Sequence, residues 1–253
     1  LFYKWGILND ERRKSLIRFN NSLKSVLAQQ QNVFEGMNIR YFGPIDGNDI
    51  AQVVETLQKM KNIGGPRLLH VLTKKGKGYA PAEADPATWH APGRFDVATG
   101  ERVKSTYPAD RYQDVFGQTL LDLARHNDKI VGITPAMPSG CSMNIVMREM
   151  PDRCFDVGIA EEHAVSMAGG LAKQGAKPVV AIYSTFFQRS YDQIMQDIAL
   201  LKLPVVLAVA RAGLVGEDGP THHGVFDVGF LRQMPGLLLL NPVSLKEQQD
   251  MLH

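Results

Sequence analysis

A chain of 253 residues is long enough for one large domain or two modest ones, and 44% hydrophobic with 21% charged residues is the balance of an ordinary globular protein. A net charge of +2 gives no electrostatic reason to expect nucleic acid or an anionic membrane as a partner, and the longest apolar run, residues 203–210, is strand length and too short to cross a bilayer. Two cysteines, Cys141 and Cys154, have no second Cys or His at metal-ligand spacing, so they read as buried thiols rather than a disulfide scaffold or metal site, in a cytoplasmic setting.

The chain does not begin with Met, which fits a trimmed start or a fragment. Residues 1–35 are polar and partly basic, with Glu11, Arg12, Arg13 and Lys14 followed by three glutamines. Leu16, Ile17, Leu23, Val26 and Leu27 suggest a helical arm. Residues 39–42 read as a short strand, and the GPIDG stretch at 43–47 as a turn. A helix is expected over 48–62, with Ile50, Val53, Val54 and Leu57 on one face and Gly64, Gly65 and Pro66 as its stop. Residues 67–73 read as a strand whose Leu68, Leu69, Val71 and Leu72 form a buried run. Strand, helix, strand is the ending of an α/β domain, which would need more chain before residue 1.

Next comes TKKGKGY at 73–79. Its glycines and lysines could receive a phosphate, but the P-loop spacing is missing and a solvated basic loop is the better reading. Residues 80–110 carry repeated Pro and Gly without periodicity, so they read as a linker, with a domain boundary near 105. The two domains are thus 1–105 and 106–253. His90 sits between Trp89 and Ala91 in that irregular stretch, either as a surface group or as a positioned acid or base.

From residue 111 onward, strand and helix alternate. Helices are expected at 112–126, 142–149, 161–174, 187–201, 226–232 and 244–252. Strands are expected at 129–133, 154–159, 178–183, 204–210 and 236–240. This alternation predicts an α/β fold: a mostly parallel sheet with helices on both faces. Ligands bind such sheets beyond the carboxyl ends of the strands. Three of those loops carry unusual residues: Glu161 after one strand, YSTFFQR at 183–189 after the next, and a glycine-rich loop at 211–224 holding Arg211, Asp218, His222 and His223.

Each has an ordinary structural role available. Glu161 and Glu162 suit the first turn of a helix, Phe186 and Phe187 suit a core, and Arg189 suits a surface pair with Asp192 or Asp197. Their coincidence on adjacent sheet loops favours a site. A carboxylate, an aromatic face, two guanidinium groups and histidines suit a charged organic cofactor with an anionic substrate.

The segments DVGIAEEHAV, YSTFFQRSYDQI and RAGLVGEDGPTHHGVFDVGFLR resemble the pyrimidine-binding domain of thiamine-diphosphate enzymes. Together with GPIDGNDI, TKKGKGYAPAE and WHAPGRFD they resemble, more narrowly, the 1-deoxy-D-xylulose-5-phosphate synthase family over nearly the whole chain from about residue 30. The resemblance implies a homodimeric enzyme using thiamine diphosphate and Mg²⁺. It would condense pyruvate with D-glyceraldehyde 3-phosphate, releasing CO₂, to feed isoprenoid, thiamine and pyridoxal synthesis.

On the same resemblance, Glu161 matches the glutamate that hydrogen-bonds N1′ of the cofactor's aminopyrimidine. Phe186 matches the ring stacked on that pyrimidine, and Tyr79 is a further cofactor contact. His90 and His222 match active-site histidines. Tyr183, Arg189 and Asp218 match pocket residues, and Arg211 matches the holder of the substrate phosphate. Three departures stand out. Glu162 replaces a common Gln beside Glu161, no Gly-Asp-Gly followed by Asn occurs to hold Mg²⁺ and the diphosphate, and the resemblance covers the end of the family's first domain and most of its second without the third. The chain alone is therefore expected not to hold the diphosphate. Other readings are a split transketolase or dehydrogenase E1 subunit, and a non-catalytic assembly module.

Overall fold

The computed structural model describes residues 33–103, 110–216 and 218–253. The helical arm expected in residues 1–35 lies outside them up to residue 32, and its end, Val33–Gly36, is helical. The chain divides into two compact units, Leu1–Ser105 and Thr106–His253.

The first unit is built on two parallel strands, β1 (Arg40–Asp46) and β2 (Arg67–Leu72), joined by helix α1 (Ile50–Met60). Asp49 caps α1, its side chain accepting from the Gln52 N–H, as expected for a short acidic residue at a helix start. The turn expected at 43–47 is instead mostly strand. Pairing skips between Phe42 and Ile45 and then resumes at Ile45 with Val71 and Asp46 with Leu72, so the bulge keeps the chain in the ladder. The burial expected for β2 is also corrected. Leu68 and Leu69 are half-buried, but Val71 and Leu72 are exposed, because a two-stranded sheet offers little cover. On α1, Ile50, Val54 and Leu57 are likewise exposed.

Residues 80–103 are more ordered than a linker. Helix α2 (Ala80–Ala84) follows Tyr79, and Tyr79, Trp89 and Phe95 form a ring cluster with centroids 4.8–5.9 Å apart. Edge-on aromatic packing stabilises a short segment that propensity alone would leave irregular.

The second unit contains a four-stranded parallel sheet in the order β4-β3-β5-β6. Its elements are α3 (Tyr112–His126), β3 (Ile130–Thr134), α4 (Asn144–Glu149), β4 (Cys154–Asp156), α5 (Glu161–Lys173), β5 (Lys177–Tyr183), α6 (Ser184–Phe187), β6 (Val206–Ala210), α7 (Asp227–Leu231) and α8 (Leu245–Leu252). β5 is buried from Pro178 to Tyr183, as a central parallel strand covered on both faces requires. Phe116, Leu120, Leu121 and Ala124 put the apolar stripe of α3 into the core, with Ile133, Met143, Val165, Val180, Ile182, Phe187 and Ile194. Gly117 allows this approach, since a Cβ there would lie 2.5 Å from the Ser142 carbonyl oxygen. Ser244 caps α8 by accepting from the Glu247 N–H, and the Glu247 carboxylate accepts from the Val243 N–H.

Three expected elements of this unit differ. The strand over 154–159 ends at Asp156. That side chain accepts from the Gly158 N–H (2.9 Å) and the Ala136 N–H (2.8 Å), and Gly158, at φ 74°, turns the chain away. The helix over 187–201 is divided: α6, a 3₁₀ turn at Gln188–Ser190, one α turn at Tyr191–Gln193 and a π-helical stretch at Ile194–Ala199. The strand over 236–240 does not form. Those residues join no ladder, and Leu238, Leu239 and Leu240 are exposed. Among the described residues, no helix is long and apolar enough to cross a membrane.

Candidate active site

The site of the second unit gathers where the sequence places its three loops, beyond the carboxyl ends of β4, β5 and β6. Glu161 is the first residue of α5 and is 3% exposed, although it is a carboxylate. Burying a charge is costly unless it is paired. The partner is Arg189, on the 3₁₀ turn after α6, whose Nη1 donates to Glu161 Oε1 at 2.9 Å. The surface pairing considered for Arg189 is therefore not the one observed. Asp197 instead accepts from the Ser166 hydroxyl.

From Arg189 a stack of rings and cations runs across the site. Its Cζ lies 5.3 Å from the Phe186 ring centroid. Phe186 stacks on Tyr183 (5.8 Å, 15° between planes) and receives the edge of His222 (5.4 Å, 76°). Arg211 Cζ lies 4.3 Å over the Tyr183 ring, and its guanidinium pairs with Asp218. Such cation–ring contacts contribute about 0.5–2 kcal/mol each, more as water is excluded. Glu161, Tyr183, Phe186, Arg189, Arg211, Asp218 and His222 thus form one contiguous set. Arg211 adopts φ 53°, an unusual value for a side-chain-bearing residue directly after a strand.

Burial divides the two phenylalanines. Phe187 is fully buried in the core, whereas Phe186 is half-buried and belongs to the site. Burial also raises the Tyr183 hydroxyl above its ordinary pKa, with Arg211 opposing. The thiol of Cys141 is pushed up to about 12 by burial, again opposed by Arg211.

The loop between β6 and α7 is held at its base by Gly213 and Gly224, which exchange two backbone hydrogen bonds of 2.7 and 2.8 Å. His223 is a clamp inside it, its Nδ1 accepting from the Val215 N–H at 3.2 Å. His222 points instead to Phe186, and its Nδ1 lies 2.9 Å from the Thr221 hydroxyl. Two glycines missed in the sequence matter here. A Cβ on Gly224 would lie 2.4 Å from Ser184 Oγ, and one on Gly140 would lie 1.9 Å from the Tyr183 hydroxyl. Neither has a local signal, because each close approach is to a residue far away in sequence.

Tyr79 and His90 belong to the first unit. Tyr79 is half-buried against Trp89 and Phe95, and its buried hydroxyl has no hydrogen-bond partner among the described residues. His90 ends a 3₁₀ turn, Thr88–His90, and is exposed. In the neighbouring Gly- and Lys-rich loop two of the donors are already used. Glu83 accepts from the Gly78 N–H (2.8 Å) and from Lys74 (2.5 Å), which holds its carboxyl below the ordinary range. That internal carboxylate sits where a phosphate was considered. Among the described residues, no group of three or more His, Cys, Asp or Glu side chains is placed to hold a metal.

Glu161 and Phe186 together suit a planar heterocycle carrying N–H donors. The carboxylate can accept from the ring's polar edge while the phenyl ring covers its face. Arg211 suits an anionic substrate, and His222 can move a proton near it.

Two family models match the chain: transketolase, pyrimidine binding domain, over residues 110–253, and 1-deoxy-D-xylulose-5-phosphate synthase over residues 5–73. The 1-deoxy-D-xylulose-5-phosphate synthases of Phocaeicola vulgatus and Bacteroides thetaiotaomicron are 60% and 59% identical to it over its whole length. The chain spans 40% and 39% of those two proteins. A solved split-gene transketolase, an inactive β4 tetramer, matches 56% of this chain and 46% of its own at TM-score 0.50 and 25% identity. Transketolase from Leishmania mexicana, at 17% identity and TM-score 0.50 over 89% of this chain and 46% of its own, shares the fold. The chain belongs to the transketolase pyrimidine-binding domain family, within the 1-deoxy-D-xylulose-5-phosphate synthase branch.

Proposed function

We propose that this chain is part of an enzyme that condenses pyruvate with D-glyceraldehyde 3-phosphate to 1-deoxy-D-xylulose 5-phosphate and CO₂, using thiamine diphosphate and Mg²⁺. The observation that carries this reading is the buried Glu161 carboxylate at the mouth of α5, joined through Arg189 to the Phe186 ring. The whole-length identity to 1-deoxy-D-xylulose-5-phosphate synthases supports it. When bound, thiamine diphosphate would supply nucleophilic and electron-sink chemistry for a carbonyl substrate.

The chain's own residues do the rest. Glu161 holds the ring nitrogen of the aminopyrimidine, and Phe186 covers its face, with Tyr79 as a further cofactor contact. His222 and His90 move protons at the substrate carbons. Tyr183 and Asp218 shape the pocket, and Arg189 borders it. Arg211, balanced over Tyr183 by Asp218, meets the phosphate of the aldehyde. The Mg²⁺ and diphosphate are held in the part of the relatives' length that this chain does not span. The working enzyme is a cytoplasmic homodimer that needs neither membrane nor nucleic acid.

The test is turnover of pyruvate and D-glyceraldehyde 3-phosphate with thiamine diphosphate and Mg²⁺, by the 253-residue chain and by a protein extended to the length of its relatives. Activity is expected of the extended protein, and Glu161→Ala should lower it at least about 10²-fold, the scale of losing a positioned acid or base. Activity with ketose and aldose phosphates but not pyruvate would favour the split-transketolase reading, which the likeness to the split-gene structure keeps in view. Unchanged activity in Glu161→Ala would refute the proposed role of this carboxylate.

A further inference from the structure

Arg189 touches both groups that would recognise the heterocycle. One nitrogen donates to Glu161 Oε1 at 2.9 Å, and the guanidinium carbon lies 5.3 Å from the Phe186 centroid. Among the described residues, this is the one hydrogen bond that the Glu161 side chain makes, and Oε2 makes none. The two groups differ in freedom. Glu161 is 3% exposed, whereas the Arg189 side chain is 50% exposed. A buried carboxylate held at one oxygen keeps its orientation, and the other oxygen is left for a ligand. The acidic residues next along the chain do not take Arg189 away: Asp197 is bound by Ser166, and Asp192 makes no ion pair among the described residues.

We infer that Arg189 is a positioning residue for Glu161: it clamps Oε1 from above the Phe186 ring and so presents Oε2 to the aminopyrimidine. This rests on the function proposed above and gives Arg189 a different task from lining the substrate pocket. One arm of Arg189 is committed to a carboxylate that is 3% exposed, whereas the Asp218 carboxylate paired with Arg211 is 43% exposed and can give way to a substrate anion.

The test uses the extended protein without thiamine diphosphate or Mg²⁺, and 4-amino-5-hydroxymethyl-2-methylpyrimidine as a calorimetric probe. Arg189→Met and Glu161→Gln should each weaken probe binding about tenfold, equal to about 1.4 kcal/mol. The double variant should be no worse than the weaker single one, since both remove the same arrangement. Arg189→Lys should recover part of the loss, and in Arg189→Met the KM for D-glyceraldehyde 3-phosphate should rise by a smaller factor than the probe's Kd. The inference is overturned if probe binding in Arg189→Met is unchanged while that KM rises tenfold, or if the two losses multiply. Should the parent protein fail to bind the probe, the function proposed above fails. The clamp is then judged by urea unfolding of the parent, Arg189→Met, Glu161→Gln and the double variant, where coupling between the two substitutions supports it and additive losses overturn it.

Discussion

β2 and β5 are both apolar parallel strands, yet they end in opposite surroundings. β5 lies between β3 and β6 beneath helices, and six of its seven residues are buried. β2 pairs with β1 alone, and none of its six residues is buried. The difference teaches that an apolar run specifies a strand, while burial is decided by how many neighbours the sheet supplies. The site follows the same division. Glu161, Tyr183 and Phe187 are placed by a packed sheet, whereas Tyr79 is placed by a small ring cluster of its own.

The largest effect should separate those strands' surroundings directly. Phe187→Ala, at a fully buried position beyond β5, is expected to cost about 3–5 kcal/mol by urea unfolding. Leu72→Ala, on the exposed end of β2, should cost about 0.5 kcal/mol or less. Equal costs would break the comparison and show that the β1–β2 face is packed in solution.

A smaller effect is expected at Gly140. The Tyr183 ring is held between Phe186 and Arg211, so it cannot swing aside freely when a Cβ arrives 1.9 Å from its hydroxyl. Gly140→Ala should cost about 1–3 kcal/mol, as overpacking does. It should also weaken substrate binding more than Gly229→Ala, whose Cβ meets open space. Equal substrate affinity in the two variants would show that the ring stack is not rigid.

The gentlest test is pH. Cys141 and Cys154 are buried, and burial pushes both thiols up to about 12 from an ordinary value of 9.0. A folded-state pKa raised in this way favours the neutral thiol. Its contribution to stability is complete below about pH 9 and is lost as pH rises towards 12. The Tyr183 hydroxyl, also raised by burial, adds in the same direction. The urea midpoint should therefore fall as pH rises above 9, and a thiol reagent at pH 8 should label neither cysteine until the protein unfolds. Rapid labelling of the native protein would show that the core of the second unit opens locally.

Much of the second unit was legible in the sequence. Alternating apolar runs and helical periods located α3, β3, α5, β5 and α8 to within a residue or two, because each period reflects a face that must be buried. The convergence of Glu161, Phe186, Arg189, Arg211, Asp218 and His222 was legible too, since parallel connections bring every strand's carboxyl end to one edge. Less legible were features set by contacts across the fold. Residues 236–240 have a strand's composition but no ladder, and the helix expected at 187–201 is divided by 3₁₀ and π turns.

By itself, then, the sequence determined the fold class, the family and which loops gather at one edge of the sheet, because periodicity and motifs are local properties of the chain. Tertiary structure alone decided that Arg189 serves Glu161 rather than Asp192 or Asp197, that Arg211 is balanced by Asp218 over Tyr183, and that Gly140 must lack a side chain. Each of these joins residues from different elements. Which charge meets which partner depends on distances that only the packed sheet fixes.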